Sequence, residues 1–127
     1  MKNYIILYYI MNNKYALELS VQEPWFSLIY IGAKNVEGRP AKQKYLDLNI
    51  GDKILFTNNG ILNTQRKCVK TIVGLKQYKT FKDYLKSEKI SNALPSIPTI
   101  NMGVKVYRQW YDNKIEKEYG IVAIRLQ

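Results

Sequence analysis

The sequence predicts one domain of the α+β class, a small mixed β-barrel with two or three short helices packed on its side. Its 127 residues, 46% of them hydrophobic, are enough for a single modest core. Several short segments alternate apolar and polar residues as strands do, and others repeat apolar residues at helical spacing. Turn-forming residues separate these segments, an order that fits short strands interleaved with helices.

The first half of the chain carries a strand pattern, a helix pattern and a second strand pattern. Residues 15–21 alternate apolar and polar side chains and predict a strand with one buried face. Apolar residues at helical spacing predict a helix over residues 24–31, with Pro24 in its first turn and Gly32 as the residue that ends it. Residues 34–39 follow as a predicted extended segment.

The second half contains three more strand patterns and two helix patterns. Strands are predicted over residues 53–57, 67–75 and 118–126, and helices over residues 80–89 and 104–111. Asn58-Asn59-Gly60 is a strong turn signal, and Thr80 is placed to cap the helix that follows it.

Residues 1–14 are predicted to be an N-terminal extension that adds a strand to a domain formed by residues 15–127. Their apolar run from Tyr4 to Met11 lacks the small-residue cleavage site of a secretory signal, and a bilayer span takes ~20 residues. We therefore expect no membrane segment. Met11 is a candidate alternative start, because the resemblance described below begins only near Tyr15, and the sequence leaves this question open. With a single cysteine, an intracellular setting, cytoplasmic or nuclear, is expected rather than secretion.

The composition excludes several kinds of chemistry. The chain has no histidine, the residue that most often acts as general base and metal ligand. Its one cysteine, Cys68, cannot form an internal disulfide and is expected to be a buried thiol on a strand. We therefore predict no metal and no organic cofactor.

The charge of the chain points to an anionic partner. Twenty basic residues against ten acidic ones give a formal net charge of +10. Residues 1–33 carry two lysines and two glutamates, so the whole excess falls on residues 34–127. Such an excess is typical of nucleic-acid-binding proteins, although lysines on solvated faces also serve solubility.

Residues 32–39 place two cations around one carboxylate in the pattern G-x-K-x-x-E-x-R. If the segment is extended, Glu37 and Arg39 share one face and Lys34 lies on the other. In a binding site, Lys34 and Arg39 would neutralise a phosphate, while Glu37 orients Arg39 or accepts a hydrogen bond from a base. The alternative is a structural Glu37–Arg39 ion pair beside a solvated Lys34.

Four aromatic residues are candidates for a stacking face, namely Trp25, Tyr107, Trp110 and Tyr111. Their helical spacing equally predicts that two or three of them belong to the core. Arg108, next to Tyr107, is expected to face solvent or the cleft.

The motif of residues 32–39 resembles the signature of the ASCH domain, a small module of the PUA-like superfamily associated with RNA and nucleotide handling. Residues 17–25, 50–54, 104–111 and 119–124 also resemble segments of such domains, so the resemblance extends over residues 15–127. It implies a PUA-like fold in which the motif segment lines a ligand cavity. The ligand-binding residues predicted on this basis are Gln22, Trp25, Lys34, Glu37, Arg39, Tyr107 and Arg108.

The function predicted is an intracellular module that binds nucleic acid, with RNA favoured over DNA or a nucleotide ligand and the oligomeric state left open. A second hypothesis comes from ASCH-like amidohydrolases of acetylated cytidine and from ribonuclease activity attributed to other ASCH-like proteins. The amidohydrolases use the motif lysine, a threonine where this chain has Glu37, and a separate glutamate. Here Lys34 and Glu37 would form an acid/base pair, and Glu88 is a candidate third group by position alone. A third hypothesis is a protein-interaction module that assembles through the N-terminal strand.

Overall fold

A computed structural model describes residues 14–127, in which five strands and six helices form one mixed sheet with helices packed against it. The strands are β1 (Leu17–Ser20), β2 (Val36–Pro40), β3 (Lys53–Ile61), β4 (Thr64–Tyr78) and β5 (Ile121–Leu126). The helices are α1 (Trp25–Tyr30), α2 (Gln43–Leu46), α3 (Phe81–Glu88), α4 (Ile90–Ala93), α5 (Ile100–Arg108) and α6 (Asn113–Tyr119).

The sheet has the order β1-β3-β4-β5-β2, with β1 parallel to β3 and the other neighbours antiparallel. The long strand β4 joins its two halves, because residues 64–71 pair with β3 and residues 72–78 pair with β5. The predicted α+β class is confirmed. Within residues 14–127 β1 and β2 are the edges of the sheet, so the word barrel describes it only loosely.

Two apolar clusters make the core, and they meet beside α1. The first lies between the sheet and α1 and includes Phe26, Ile54 and Phe56. The second lies under α3 and α5 and is built on aromatic side chains such as Phe81 and Tyr84. The partly buried Trp25 packs against both clusters, which brings the start of α1 close to α5.

Several predicted elements are confirmed. β1, α1, β2 and α3 lie where the sequence patterns place them. Gly32 follows α1 with φ +82°, a left-handed conformation that suits glycine, as predicted for the residue that ends this helix. Thr80 caps α3, since its Oγ1 accepts a hydrogen bond of 3.0 Å from the Asp83 amide.

The turn predicted at residues 58–60 is wrong, because β3 continues to Ile61 and the hairpin turns at Leu62 and Asn63. Asn58 is buried, and its side chain donates to the carbonyl of Val21 at 2.8 Å and accepts from the amide of Gly60 at 3.0 Å. These bonds hold the segment as a bulge in the strand. The positive φ of the turn is supplied by Asn63, at +58°.

Helices near the C-terminal end differ from the prediction as well. α5 begins at Ile100, four residues before the predicted helix, because Thr99 caps it with a 3.2 Å bond from the Met102 amide. It ends at Arg108. Residues 118 and 119 belong to α6 rather than to the last strand. This helix begins after Asp112, which caps it by accepting from the Ile115 amide, and it ends at the C-cap residue Gly120, whose φ is +67°.

The predicted N-terminal extension of residues 1–14, including its proposed strand, lies outside the described residues except for Lys14. From residue 14 onward, every helix is too short or too polar to span a bilayer.

Gly38, inside the sequence motif, lets the ring of Tyr84 lie directly against β2. A Cβ at this position would come within 2.6 Å of two ring carbons of Tyr84. Tyr84 is fully buried, and its hydroxyl is 2.9 Å from that of Tyr107 on α5. The glycine therefore sets how closely α3, and through it Tyr107, approaches the motif strand.

Gly38→Ala should lower the free energy of unfolding by about 1–3 kcal/mol, the usual cost of overpacking a filled core. In a Tyr84→Leu background the same substitution should cost much less, because the shorter side chain removes the clash. Urea unfolding of the two single variants and the double variant measures this coupling. Additive effects of the two substitutions would contradict the assignment.

Candidate functional site

A cavity of about 190 Å³ opens between the end of β1, the start of α1, the motif strand β2 and the end of α5. Its lining residues come from four separate segments of the chain, at residues 20–25, 34–39, 94 and 107–111. They are Ser20, Val21, Gln22, Trp25, Lys34, Glu37, Arg39, Leu94, Tyr107, Trp110 and Tyr111.

Lys34 forms the buried floor of this cavity and is only 2% exposed. Its ammonium group donates to the carbonyl of Val36 at 2.7 Å and to the carbonyl of Ala93, and lies 3.7 Å from Glu37 Oε1. Burial lowers the pKa of Lys34, and the neighbouring Glu37 carboxylate partly opposes that shift. The sequence predicts Lys34 on the face of the strand opposite Glu37. This prediction is wrong, because β2 begins only at Val36 and strand alternation does not extend back to Lys34.

Glu37 and Arg39 lie on one face of β2, as predicted. The Glu37 carboxylate accepts a 3.1 Å bond from the Gly38 amide, and its Oε2 is 3.7 Å from Arg39 Nη2. Arg39 also donates to the Tyr45 hydroxyl at 3.5 Å. The Glu37 side chain is 7% exposed and that of Arg39 is 17% exposed. With Lys34 protonated, two cations surround one carboxylate, and the group carries a net charge of +1.

All four candidate aromatic side chains line the cavity, but only one of them is a core residue. Tyr107 is buried and stacks on Phe81, with ring centroids 4.6 Å apart. Trp25 and Tyr111 are half-buried, and Trp110 is 42% exposed. The cavity therefore has a fixed aromatic wall and a more open aromatic rim.

Of the predicted ligand-binding residues, the structure brings six together and leaves Arg108 apart. Gln22 lies on the rim of the cavity, just before the start of α1. Arg108 Nη2 instead bonds to Glu116 Oε1 at 2.8 Å, and its guanidinium lies over the Phe81 ring. Consecutive residues of a helix point about 100° apart, so a helix that turns Tyr107 to the cavity turns Arg108 away from it.

Five residues that line the cavity were not among the predicted ligand-binding residues. Trp110 and Tyr111 had an aromatic signal, but they follow the end of α5 rather than continuing its helical spacing. Leu94 comes after α4, a four-residue helix too short to leave a periodic pattern. Ser20 and Val21 lie at the end of β1 and carry no motif of their own.

Glu88, the candidate third catalytic carboxylate, lies in a different groove. It accepts two hydrogen bonds of 2.8 Å from Arg125, and a third from the Tyr78 hydroxyl. The hydrogen bonds from Arg125 hold the pKa of Glu88 below its usual value. Glu37 is therefore the one carboxylate among the residues that line the cavity.

Side chains suited to metal binding do not gather anywhere in residues 14–127, where no three of His, Cys, Asp and Glu come together. Cys68 is half-buried on β4 and makes no disulfide, and burial raises the pKa of its thiol.

The mixed sheet, the helices packed on it and the charged cavity at the motif strand define a small domain of the PUA-like class. A model of the ASCH domain matches residues 19–127 of the chain. The protein belongs to the ASCH family.

Solved structures agree with this assignment. The chain is similar to the hypothetical protein PH0355, at 40% identity over 87% of this chain and 96% of that one, with a TM-score of 0.76. It is also similar to protein PF0455 from Pyrococcus furiosus, at 30% identity, coverage of 87% and 94%, and a TM-score of 0.67. ASCH from Zymomonas mobilis shares the fold at 15% identity, coverage of 87% and 65%, and a TM-score of 0.60. A comparison with curated proteins gave no match.

Glu88→Gln should destabilise the protein at pH 7 by about 1.5–3 kcal/mol, the range for hydrogen bonds to charged groups. The folded-state pKa of Glu88 lies below the unfolded value, so this stabilisation is present above pH 4.5 and is lost as the pH falls below it. Urea unfolding of both proteins at pH 7 and at pH 3 should show the difference shrinking in acid. A difference that stays constant with pH would contradict the ion-pair assignment.

Proposed function

We propose that this ASCH domain binds single-stranded RNA by taking one base into the cavity above Lys34, Glu37 and Arg39. The observation that carries the proposal is a fixed carboxylate between two cations, beneath an aromatic rim that is open to solvent. Each part of this arrangement matches one chemical feature of a nucleotide: a base edge, a base face and a phosphate.

Glu37 supplies the acceptor for a base edge. The Gly38 amide, the Lys34 ammonium and the Arg39 guanidinium fix its carboxylate, and its two oxygens retain further lone pairs. A carboxylate accepts well from an exocyclic amino group such as N4 of cytosine, which favours amino-bearing bases over uracil. Lys34 positions Glu37 and does not itself contact the ligand, since two backbone carbonyls and this carboxylate already surround its ammonium group.

The aromatic side chains supply a stacking surface. Trp110 is exposed at the rim, and Trp25 and Tyr111 are half-buried beside it. Stacking a base on an aromatic side chain is worth about 1–3 kcal/mol per base and tolerates different sequences.

The size of the cavity favours a single base. Its volume of about 190 Å³ lies below the ~300–1,000 Å³ of pockets for drug-sized ligands. A base within a duplex is stacked and paired and cannot enter such a cavity, whereas an unpaired base can be turned into it. Single-stranded RNA therefore fits the cavity better than duplex RNA or duplex DNA does.

Electrostatics support an anionic ligand. The chain carries a net charge of +10, and Arg39 is a partly exposed cation of the cavity. Within residues 14–127 its guanidinium bonds to the Tyr45 hydroxyl and to no backbone carbonyl. An arginine in this position can bind the phosphate of the nucleotide whose base occupies the cavity.

Arg39→Gln should weaken binding of single-stranded RNA by at least about tenfold, because it removes the phosphate contact and leaves Glu37 less well oriented. It should also reduce the slope of log affinity against log salt by about 0.7. Arg108→Gln is the matched control, since it also removes one arginine but lies outside the cavity. Fluorescence anisotropy with labelled RNA at several salt concentrations measures both quantities.

Equal losses of affinity in the two arginine variants would mean that only net charge matters and that the cavity is not the binding site. Unchanged affinity in Arg39→Gln would contradict the proposal in the same way. Circular dichroism spectra of both variants control for folding.

A second candidate function, a hydrolase acting on RNA or on a modified nucleoside, is favoured by the contact between Lys34 and Glu37. Burial lowers the pKa of Lys34, and its ammonium nitrogen lies 3.7 Å from the Glu37 carboxylate, within reach of an acid/base pair. Against it stand the two backbone carbonyls that hold the Lys34 ammonium, and the position of Glu88 in another groove.

Glu37→Gln separates the two functions, because glutamine keeps the shape of the side chain but cannot accept a proton as a base. A hydrolase should lose turnover of RNA or acetylated cytidine by at least about a hundredfold while retaining much of its binding. Chromatography of the reaction products measures turnover, and anisotropy measures binding. Intact substrate with the wild-type protein would exclude this candidate for the substrates tested.

A further inference from the structure

We infer that a groove beside the cavity is a second subsite, which holds the sugar and base of the nucleotide adjoining the one in the cavity. This inference rests on the proposed function and extends it from one nucleotide to two. The groove has a volume of about 530 Å³ and lies between the end of β1 and the β3–β4 hairpin. Its lining residues are Ser20, Val21, Gln22, Glu23, Asn58, Asn59, Gly60, Ile61 and Arg66.

The groove is continuous with the cavity. Ser20, Val21 and Gln22 line both of them, so a strand whose base fills the cavity meets the groove directly across this segment. Two other grooves of comparable size on the described surface share no lining residue with the cavity.

A β-bulge shapes the wall of the groove. Asn58 pairs with Arg66 and Ile61 with Thr64, so Asn59 and Gly60 together stand opposite one residue of β4. Both residues are exposed, and Gly60 has no side chain to narrow the groove. The buried Asn58 fixes the bulge to the segment that follows β1, through its bond to the Val21 carbonyl.

The groups exposed in the groove suit a sugar and a base better than a phosphate. Asn59 Oδ1 accepts a 2.8 Å bond from Gln65, and within residues 14–127 its amide nitrogen makes no hydrogen bond and remains a donor. Glu23 pairs with Arg66 at 3.2 Å and compensates its charge, so the groove carries no net charge. The side chain of Ile61 is about half exposed and offers an apolar surface for a base.

The test compares two substitutions that add the same negative charge. Asn59→Asp places it in the groove and keeps the oxygen that accepts from Gln65, so the hairpin should stay folded. Asn63→Asp places it at the hairpin turn, outside the groove, where aspartate tolerates the positive φ of that residue. Isothermal titration calorimetry measures binding of cytidine monophosphate and of oligocytidylates of two and four nucleotides to each protein.

The wild-type protein should bind the dinucleotide more tightly than the mononucleotide. Asn59→Asp should weaken binding of the dinucleotide and tetranucleotide by about two- to fivefold, the size of an exposed charge contact, and leave the mononucleotide unaffected. Asn63→Asp should bind all three ligands as the wild type does.

Equal affinity of the wild type for one and two nucleotides would overturn the second subsite and leave the cavity as a single-nucleotide site. Equal behaviour of the two variants, or an equal loss for the mononucleotide in Asn59→Asp, would overturn it as well. Failure of the wild-type protein to bind any of the ligands would overturn the proposed function together with the subsite.

Discussion

The buried ammonium group of Lys34 is the constraint on which the rest of the site depends. A charge that is 2% exposed is tolerated only with close partners, and Lys34 finds them in two backbone carbonyls and the Glu37 carboxylate. The Ala93 carbonyl ties the end of α4 to the motif strand. The adjacent residue reinforces this connection, because the Asn35 amide bonds to the Asn92 carbonyl and the Asn35 carbonyl accepts from Leu126.

In the proposed function, some residues of the motif build the cavity and others bind the ligand. Lys34 and Gly38 build the cavity, one by holding α4 and Glu37 in place and the other by admitting Tyr84 against β2. Glu37 and Arg39 are left facing the cavity, held by contacts to each other and to fixed neighbours. A carboxylate and a guanidinium with fixed positions are suited to selecting a ligand by geometry, because little side-chain freedom is lost on binding.

Local signals in the sequence predicted those parts of the fold that local chemistry determines. Gly32 ends α1 and Thr80 caps α3 because each acts on its own helix terminus. The hairpin was misplaced because the bulge at Asn58 depends on Val21, which is distant in sequence. The sequence patterns also gave no sign of the ion pair between Arg108 and Glu116, since Glu116 belongs to α6, a helix that they did not predict.

The motif predicted that Lys34, Glu37 and Arg39 form one site, but not how the three side chains contact one another. That Glu37 and Arg39 share a face follows from strand alternation, whereas the approach of Lys34 depends on where β2 begins. Trp110 and Tyr111 reach the cavity through the turn that follows α5, and the spacing of apolar residues does not predict the path of a turn.

Tryptophan fluorescence tests the central claim, that RNA binds in this cavity, most directly. The chain has two tryptophans, Trp25 and Trp110, and both line the cavity. Titration with single-stranded RNA should change their emission and saturate together with the anisotropy of the labelled RNA. Binding seen by anisotropy without any change in tryptophan emission would show that the RNA occupies another surface, and would contradict the account.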